Sequence, residues 1–175
     1  RHLDPDRARA LSARMPDHVR RVGVFVDPDD ALIDMAIAAG RLDTLQLHKT
    51  APARIADLAR RTGLESWAVI AVKTRADLDR ARDYAGAAQF ILYDAKTPDD
   101  AALPAGMGLR FDWSLLDGFR HPLPWALSGG LDAGNVAEAI ARTGARIVDV
   151  CSGVETAPGV KDVDKITAFL KAVAQ

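Results

Sequence analysis

The sequence predicts an α/β fold in which short buried strands alternate with amphipathic helices. Apolar runs of strand length recur along the chain, helical patterns separate them, and no linker or low-complexity stretch divides the 175 residues. Strict alternation of this kind is typical of a parallel sheet with helical crossovers. Because 49% of the residues are apolar, the chain can build a sizeable core, and we expect one domain over residues 1–175.

The predicted strands are apolar runs rich in Val, Ile and Leu. This composition is expected of strands that are buried on both faces of a parallel sheet. The runs lie at Arg21–Val26, Leu42–Leu47, Ala68–Val72, Ala88–Tyr93, Leu123–Leu127 and Arg146–Val150.

The predicted helices carry apolar side chains at the three- and four-residue spacing of an amphipathic helix. They lie at Pro5–Leu11, Asp30–Ala39, Pro52–Arg61, from Thr74 through Ala85, Ala133–Arg142 and from about Asp162 onward. In the predicted helix that begins at Thr74, Thr74 and Asp77 resemble a capping box.

Composition and charge exclude several classes of protein. The 23 basic and 24 acidic residues give a net charge of −1 and form no block, so nucleic acid is not an expected partner. No apolar run is long enough to span a bilayer. The single cysteine, Cys151, cannot form an internal disulfide, and the four histidines lack the spacing of metal ligands. We therefore expect a cytoplasmic domain with no metal site and no membrane contact.

Residues able to do chemistry follow the predicted strands, at the point where each strand ends. The series is Asp27, His48, Lys73, Asp94, Ser128 and Cys151-Ser152. In a (βα)8 barrel, or TIM barrel, the active site lies at the C-terminal ends of all the strands, whereas a doubly wound sheet holds its ligand near one switch point. The pattern favours the barrel, although polar residues are also common at solvent-facing strand ends.

The predicted strands are too few to close a barrel of eight. The chain begins with Arg1 rather than methionine and opens directly into a helical pattern. One strand-helix-strand unit of roughly 30 or more residues would supply the missing pair of strands. We therefore expect that the first strand-helix-strand is absent from this chain.

Two glycine-containing loops predict a phosphate site. Ser128-Gly129-Gly130 follows one predicted strand, and Ser152-Gly153 follows the next. Glycines allow backbone N–H groups to approach an anion closely, and barrels commonly bind phosphate after their last two strands. The alternative is that these glycines only turn the chain.

A series of short motifs runs along nearly the whole chain in an order that is typical of one enzyme family. The motifs are Val22–Val26, Leu45–His48, Ile91–Lys96, Phe111–Trp113, Leu127–Leu131 with Asn135-Val136, Asp149–Glu155 and Pro158–Asp162. Together they resemble phosphoribosylanthranilate isomerase, a (βα)-barrel enzyme of tryptophan biosynthesis.

The resemblance implies a cofactor-free Amadori rearrangement. It converts N-(5-phosphoribosyl)anthranilate to 1-(2-carboxyphenylamino)-1-deoxyribulose 5-phosphate. An acid protonates the furanose ring oxygen and opens the sugar to a Schiff base, and a base then removes the C2′ proton. Acid and base must stand on opposite sides of the sugar.

Asp94 matches the general acid of the family, and burial or a nearby phosphate should raise its pKa so that it stays partly protonated. Without the surrounding motif, Asp94 would be interpreted as a helix N-cap or a loop residue. The family's base is a cysteine in a Lys-x-Cys-Gly motif, which this sequence does not contain. Cys151 lies instead where the family usually has serine, and we expect it to be a small buried residue.

The resemblance also implies three substrate-binding residues, Arg1, His48 and Asp149. Arg1 would pair with the anthranilate carboxylate, and Asp149 would hydrogen-bond to sugar or amine groups. For His48, a solvated strand-end histidine is the alternative. The sequence departs from the family at Ala105–Gly108, where the family has a glycine-rich polar loop, and at Lys49, where glycine is common.

Two other functions remain open at this point. A histidine-pathway isomerase performs the same rearrangement, but it usually uses two aspartates and shows an internal half-barrel repeat, which we do not find. The second is a non-catalytic phosphate-binding barrel or barrel fragment, since the base is missing. The expected partner is a small phosphoribosyl substrate, and the expected assembly is a monomer or a homodimer.

Overall fold

The computed structural model describes residues 2–95 and 110–174. Its main sheet has five strands in the order β1-β2-β3-β4-β5, and β1 pairs with β2, β2 with β3, and β4 with β5 in parallel. Their bounds are Val22–Val26 (β1), Thr44–His48 (β2), Glu65–Val72 (β3), Phe90–Ala95 (β4) and Trp125–Leu127 (β5). A separate antiparallel hairpin consists of Glu155–Ala157 (β6) and Val160–Lys161 (β7).

The described residues contain six α-helices. Their bounds are Pro5–Ser12 (α1), Asp30–Gly40 (α2), Pro52–Thr62 (α3), Arg75–Asp79 (α4), Val136–Thr143 (α5) and Val163–Val173 (α6). Short 3₁₀ turns lie at Arg80–Tyr84, Trp113–Leu116 and Ser152–Val154. The predicted α/β class is therefore confirmed. The described strands form an open sheet rather than a closed barrel.

The chain consists of two compact units. The first contains Arg1–Val69 and Asp83–Phe90, and the second contains Ile70–Arg82 and Ile91–Gln175. The prediction of a single domain stays a prediction.

The core of the first unit contains residues of both α3 and β2. Ile55 and Leu58 of α3, and Leu45 and Leu47 of β2, are at most 1% exposed. The helix ends at Gly63, whose φ of 69° is in the left-handed region that favours glycine. The spacing of the apolar residues in α3 thus directs one face of the helix into the core.

The core of the second unit is built on β4. Ile91, Leu92 and Tyr93 of this strand are buried, as are Val136 of α5 and Phe169 of α6. Because consecutive residues of a strand point to opposite faces, a run that is buried throughout has packing on both sides.

One predicted strand, Arg146–Val150, is wrong. In its place a single parallel bridge joins Leu127 to Val148. Leu127 donates its N–H to the Ile147 carbonyl at 3.0 Å, and Asp149 donates to the Leu127 carbonyl at 2.8 Å. Ile147 is 46% exposed, so this segment is not buried on both sides as its apolar composition suggested.

Two predicted helices differ from the observed ones at their ends. The helix from Thr74 continues after Asp79 only as a 3₁₀ turn, which ends at Tyr84, and Gly86 follows with a φ of 83°. Its capping box is confirmed, since the Asp77 carboxylate accepts from the N–H of Thr74 at 2.8 Å. The helix predicted from Ala133 begins at Val136, because a turn closed by Asp132 and Asn135 precedes it.

No helix in residues 2–95 and 110–174 is both long enough and apolar enough to cross a membrane.

The core of the first unit can be tested by truncating one helix side chain. We expect Leu58→Ala to lower the free energy of unfolding by about 2–5 kcal/mol, because Leu58 is 0% exposed and its loss leaves a cavity. Met35 of α2 is 44% exposed, so Met35→Ala should change the free energy of unfolding by less than about 1 kcal/mol. Urea unfolding measures both variants, and equal losses would contradict the packing described.

Candidate active site

Asp94 lies near the C-terminal end of β4 and is half-buried. Its Oδ1 accepts a hydrogen bond of 2.8 Å from the N–H of Ala95. Burial, and then the negative charge of Asp149, raise the pKa of Asp94 to about 6, against the opposing effect of the Ala95 N–H. The predicted rise in pKa is therefore confirmed, and the nearby charge that contributes to it is a carboxylate of the protein. A carboxyl group of this kind can release or hold a proton close to neutral pH.

Asp149 is held by a buried hydroxyl. The Oγ of Ser128 donates to Oδ2 of Asp149 at 2.7 Å, and Ser128 is only 6% exposed. The backbone also fixes both residues, because Ser128 donates its N–H to the Tyr93 carbonyl and Asp149 donates to the Leu127 carbonyl. The hydroxyl of Ser128, predicted to contact phosphate, therefore already has a carboxylate partner.

The loop after β5 lies directly against Asp94. Gly129 and Gly130 have φ values of 89° and 63°. A Cβ added at Gly129 would stand 2.6 Å from the Ala95 nitrogen and 3.0 Å from Oδ1 of Asp94. Only glycine fits here, both for its backbone conformation and for the space available. The N–H groups of Gly129 and Gly130 donate to no acceptor in the described part of the chain.

The second predicted phosphate loop contacts the first. Ser152 and Gly153 form a 3₁₀ turn with Val154. A Cβ added at Gly153 would stand 2.0 Å from the carbonyl oxygen of Leu131, so the two backbones meet without room for a side chain. The structure thus brings both predicted loops together with Asp94 and Asp149 in the second unit.

Cys151 is half-buried rather than buried, which corrects the sequence prediction. The carbonyl of Cys151 accepts a hydrogen bond of 2.8 Å from Nζ of Lys161, and the same ammonium pairs with Oε1 of Glu155 at 3.0 Å. The hairpin of β6 and β7 therefore holds the residue that precedes the Ser152 loop. Sequence reasoning assigned no role to Lys161 or Glu155, although both lie within the quoted motifs.

His48 lies in the first unit, at the end of β2. Burial, and then the positive charge of Lys49, lower its pKa to about 4. Its Nε2 lies 3.3 Å from Nε2 of Gln46. The ring is neutral at physiological pH and half-buried, so it differs from the freely solvated histidine of the alternative interpretation.

Two predictions from the sequence lie outside the described residues. They are Arg1, predicted to bind the anthranilate carboxylate, and the Ala105–Gly108 loop, which departs from the family pattern. In the described part of the chain, no group of three or more His, Cys, Asp or Glu side chains is placed to hold a metal ion.

Comparison with known proteins relates the whole chain to one family. A family model described as N-(5'phosphoribosyl)anthranilate (PRA) isomerase matches residues 1–172. An N-(5'-phosphoribosyl)anthranilate isomerase of Zymomonas mobilis is 52% identical over 99% of this chain and 82% of its own length. One from Paramagnetospirillum magneticum is 50% identical, over 98% of this chain and 80% of its own length.

Solved structures agree with the sequence relatives. Phosphoribosyl anthranilate isomerase from Thermotoga maritima superposes with a TM-score of 0.86 and 35% identity, and the match covers 99% of this chain and 82% of that one. A phosphoribosyl anthranilate isomerase in complex with reduced 1-(o-carboxyphenylamino)-1-deoxyribulose 5-phosphate matches with a TM-score of 0.83 and 32% identity, over 99% of this chain and 80% of that one.

The effect of Asp149 on Asp94 can be measured directly. We expect Asp149→Asn to lower the pKa of Asp94 from about 6 toward its ordinary value of 3.8, because the variant removes the negative charge while keeping an acceptor for Ser128. Side-chain ¹³C NMR titration of the carboxyl groups measures this shift. Asp164→Asn, an exposed position in α6, is the matched control and should leave the titration of Asp94 unchanged.

Proposed function

Because the chain belongs to the N-(5'-phosphoribosyl)anthranilate isomerase family, we propose that it isomerises N-(5-phosphoribosyl)anthranilate in tryptophan biosynthesis and that Asp94 is the general acid. The observation that carries the role of Asp94 is its pKa of about 6 at a strand end where the Gly129 loop lies so close that an added Cβ would come within 3.0 Å of Oδ1. At pH 7, roughly a tenth of such a group is protonated, which is enough to supply protons for catalysis.

The first step is the opening of the sugar ring. Asp94 gives its proton to the furanose ring oxygen, the bond between that oxygen and C1′ breaks, and the nitrogen lone pair forms the C1′=N bond of a Schiff base. The carboxylate that remains is close to Asp149, so the site is ready to take a proton again. This return of the proton favours turnover near neutral pH.

The second step removes the C2′ proton and forms an enolamine, which becomes the ketone of the product. The resemblance assigns this proton to the cysteine of a Lys-x-Cys-Gly motif, which does not occur among these 175 residues. Cys151 is a poor replacement, because its thiol and carbonyl face Glu155 and Lys161 of the hairpin. The proposal therefore assigns only the acid to the residues of this chain.

The phosphate of the substrate would bind at the two glycine loops. Backbone N–H groups of Gly129, Gly130 and Gly153 are the proposed donors, with Ser152 as the side-chain donor. The contact between the loops at Gly153 and Leu131 supports a single site rather than two. The hydroxyl of Ser128 donates its hydrogen bond to Asp149, so only the backbone of Ser128 is proposed to bind phosphate.

Three further residues are proposed to hold the rest of the substrate. Asp149 would accept hydrogen bonds from sugar hydroxyls or the anthranilate amine, and His48, being neutral, would form hydrogen bonds without adding charge. Arg1 would pair with the anthranilate carboxylate.

A cytoplasmic monomer or homodimer remains the predicted state of the protein. One structural neighbour is described as monomers generated from a dimeric phosphoribosylanthranilate isomerase of Thermotoga maritima. Sedimentation of this protein at several concentrations distinguishes the two states.

Replacing the proposed acid tests the function. We expect Asp94→Asn to lower kcat by about a hundredfold or more, because an amide cannot give up a proton to the ring oxygen. Loss of substrate fluorescence measures the rate. Asp164→Asn is the charge-matched control and should keep the rate of the parent protein. Full activity of Asp94→Asn would contradict the proposed role.

The same variant should be more stable than the parent. The folded-state pKa of Asp94 lies above the unfolded value, so its ionisation weakens the folded state above about pH 6 and has no effect below about pH 4. Asp94→Asn should therefore raise the free energy of unfolding by about 1–3 kcal/mol near neutral pH, and by much less in acid. Urea unfolding as a function of pH measures the difference, and equal stability at all pH values would contradict the burial of this charge.

Inorganic phosphate probes the glycine loops separately from the chemistry. We expect phosphate to shift the ¹⁵N–¹H NMR signals of Gly129, Gly130 and Gly153, because their N–H groups are the proposed donors. The signals of Gly63 and Gly144, which end helices α3 and α5, serve as controls and should not move. Shifts confined to other parts of the chain would contradict the proposed phosphate site.

A further inference from the structure

Two lysine side chains hold the 3₁₀ turn at Ser152–Val154 from its two ends. Nζ of Lys161 donates to the Cys151 carbonyl, directly before the turn, at 2.8 Å. Nζ of Lys165 donates to the Glu155 carbonyl, directly after the turn, at 2.7 Å. The two contacts are of the same kind, but each lysine fixes the direction of a different peptide group.

Lys161 is itself held in place by a buried carboxylate. Oε1 of Glu155 lies 3.0 Å from the ammonium, and the side chain of Glu155 is only 5% exposed. Separating a buried charge from its counter-ion is costly, so this pair favours one position of the long lysine side chain. The N–H of Val154 also reaches the Cys151 carbonyl, but at 3.4 Å, so the ammonium is the closer donor to that oxygen.

The bond to the Cys151 carbonyl also determines where the next N–H group points. No cis peptide bond occurs among the described residues, and in a planar trans peptide the C=O and N–H groups point in opposite directions. The carbonyl faces Lys161 of the β6–β7 hairpin, so the N–H of Ser152 faces away from that lysine. Within residues 2–95 and 110–174, this N–H donates to no acceptor.

The turn that carries this N–H meets the first glycine loop. A Cβ added at Gly153 would stand 2.0 Å from the carbonyl oxygen of Leu131, so the backbones of the two loops are in contact. A peptide N–H without a protein acceptor is a donor that an anion can use. A hydrogen bond from an ammonium to the carbonyl of the same peptide polarises the group and strengthens its N–H as a donor.

We propose that Lys161 is a positioning residue for the phosphate of the substrate, because its hold on the Cys151 carbonyl directs the Ser152 N–H toward the phosphate and strengthens that donor. This inference rests on the proposed function, since it adds a donor to the phosphate site of the two glycine loops. The ammonium of Lys161 is bound to the Cys151 carbonyl and to Glu155, on the other side of the peptide. Lys161 therefore acts on binding through the peptide and not as a direct counter-ion.

Titration of the full chain with inorganic phosphate, followed by the ¹⁵N–¹H NMR signals of Gly129 and Ser152, tests this role. Lys161→Met removes the ammonium but keeps an unbranched side chain. We expect it to raise the dissociation constant of phosphate about tenfold and to reduce the shift of the Ser152 signal at saturation. Lys161→Arg keeps a cationic donor and should bind phosphate within about threefold of the parent. Equal affinities of the parent and Lys161→Met would overturn the proposal.

Lys165→Met is the matched control, because it removes the same kind of contact from the peptide after the turn. It should leave the affinity for phosphate within about twofold of the parent. An equal loss in Lys165→Met would mean that any loosening of the turn weakens binding, and it would overturn the proposal.

A second variant separates the lost hydrogen bond from the effect on the buried carboxylate. Lys161→Met removes the counter-ion of Glu155, which can disturb the hairpin by itself. In the double variant Lys161→Met/Glu155→Gln the buried charge is also removed, and the tenfold loss of affinity should remain. A return to the affinity of the parent would overturn the role of Lys161 in directing the peptide.

Kinetics and the parent protein distinguish this proposal from the proposed function. Lys161→Met should raise KM about tenfold and leave kcat within about twofold, because a contact made equally by substrate and transition state affects KM alone. A lower kcat with unchanged KM would overturn the positioning role and leave the isomerase function in place. If phosphate shifts no signal of Gly129, Gly130 or Ser152 in the parent, the phosphate site is refuted, and the role of Lys161 is refuted with it.

Discussion

The site depends on two half-buried carboxyl groups that interact through their charges. Burial favours the neutral form of Asp94, and the negative charge of Asp149 favours it further. Neither group could be arranged this way by a flexible loop alone. Asp94 belongs to β4, whose preceding residues are buried on both faces, and Asp149 is tied to Leu127 at the end of β5 by a backbone hydrogen bond. The packing of the second unit therefore maintains the raised pKa of Asp94.

The glycine loops lie next to the proposed acid in this part of the fold. Gly129 turns the chain away from β5 and at the same time makes contact with the backbone and carboxyl group of the neighbouring strand end. Gly153 meets the Leu131 carbonyl in the same manner. Backbone N–H groups that have no acceptor among the described residues, and a carboxyl group with a raised pKa, thus lie within one small region of the second unit. This arrangement suits a substrate whose phosphate and reacting carbon are a few bonds apart.

The sequence allowed the fold class, most strands and the raised pKa of Asp94 to be predicted, for different physical reasons. Runs such as Ile91–Tyr93 are buried on both faces, and strands of this kind are recognisable in a sequence as continuous apolar runs. The segment Arg146–Val150 has the same composition but forms one bridge, because strand formation also requires partners that composition does not reveal. Asp94 was found through its motif. The hydrogen bond of Ser128 to Asp149 was not, since it joins residues that are 21 positions apart and depends on side-chain direction.

The contact at Gly129 has a consequence for how this protein can vary over evolutionary time. Any residue with a side chain at this position would displace both the peptide of Ala95 and the carboxyl group of Asp94. A substitution here that altered ligand binding would then also alter the pKa of Asp94. Drift at this position is constrained by two properties at once, so new ligand preferences must arise from substitutions elsewhere, at positions where a side chain can change without moving the acid.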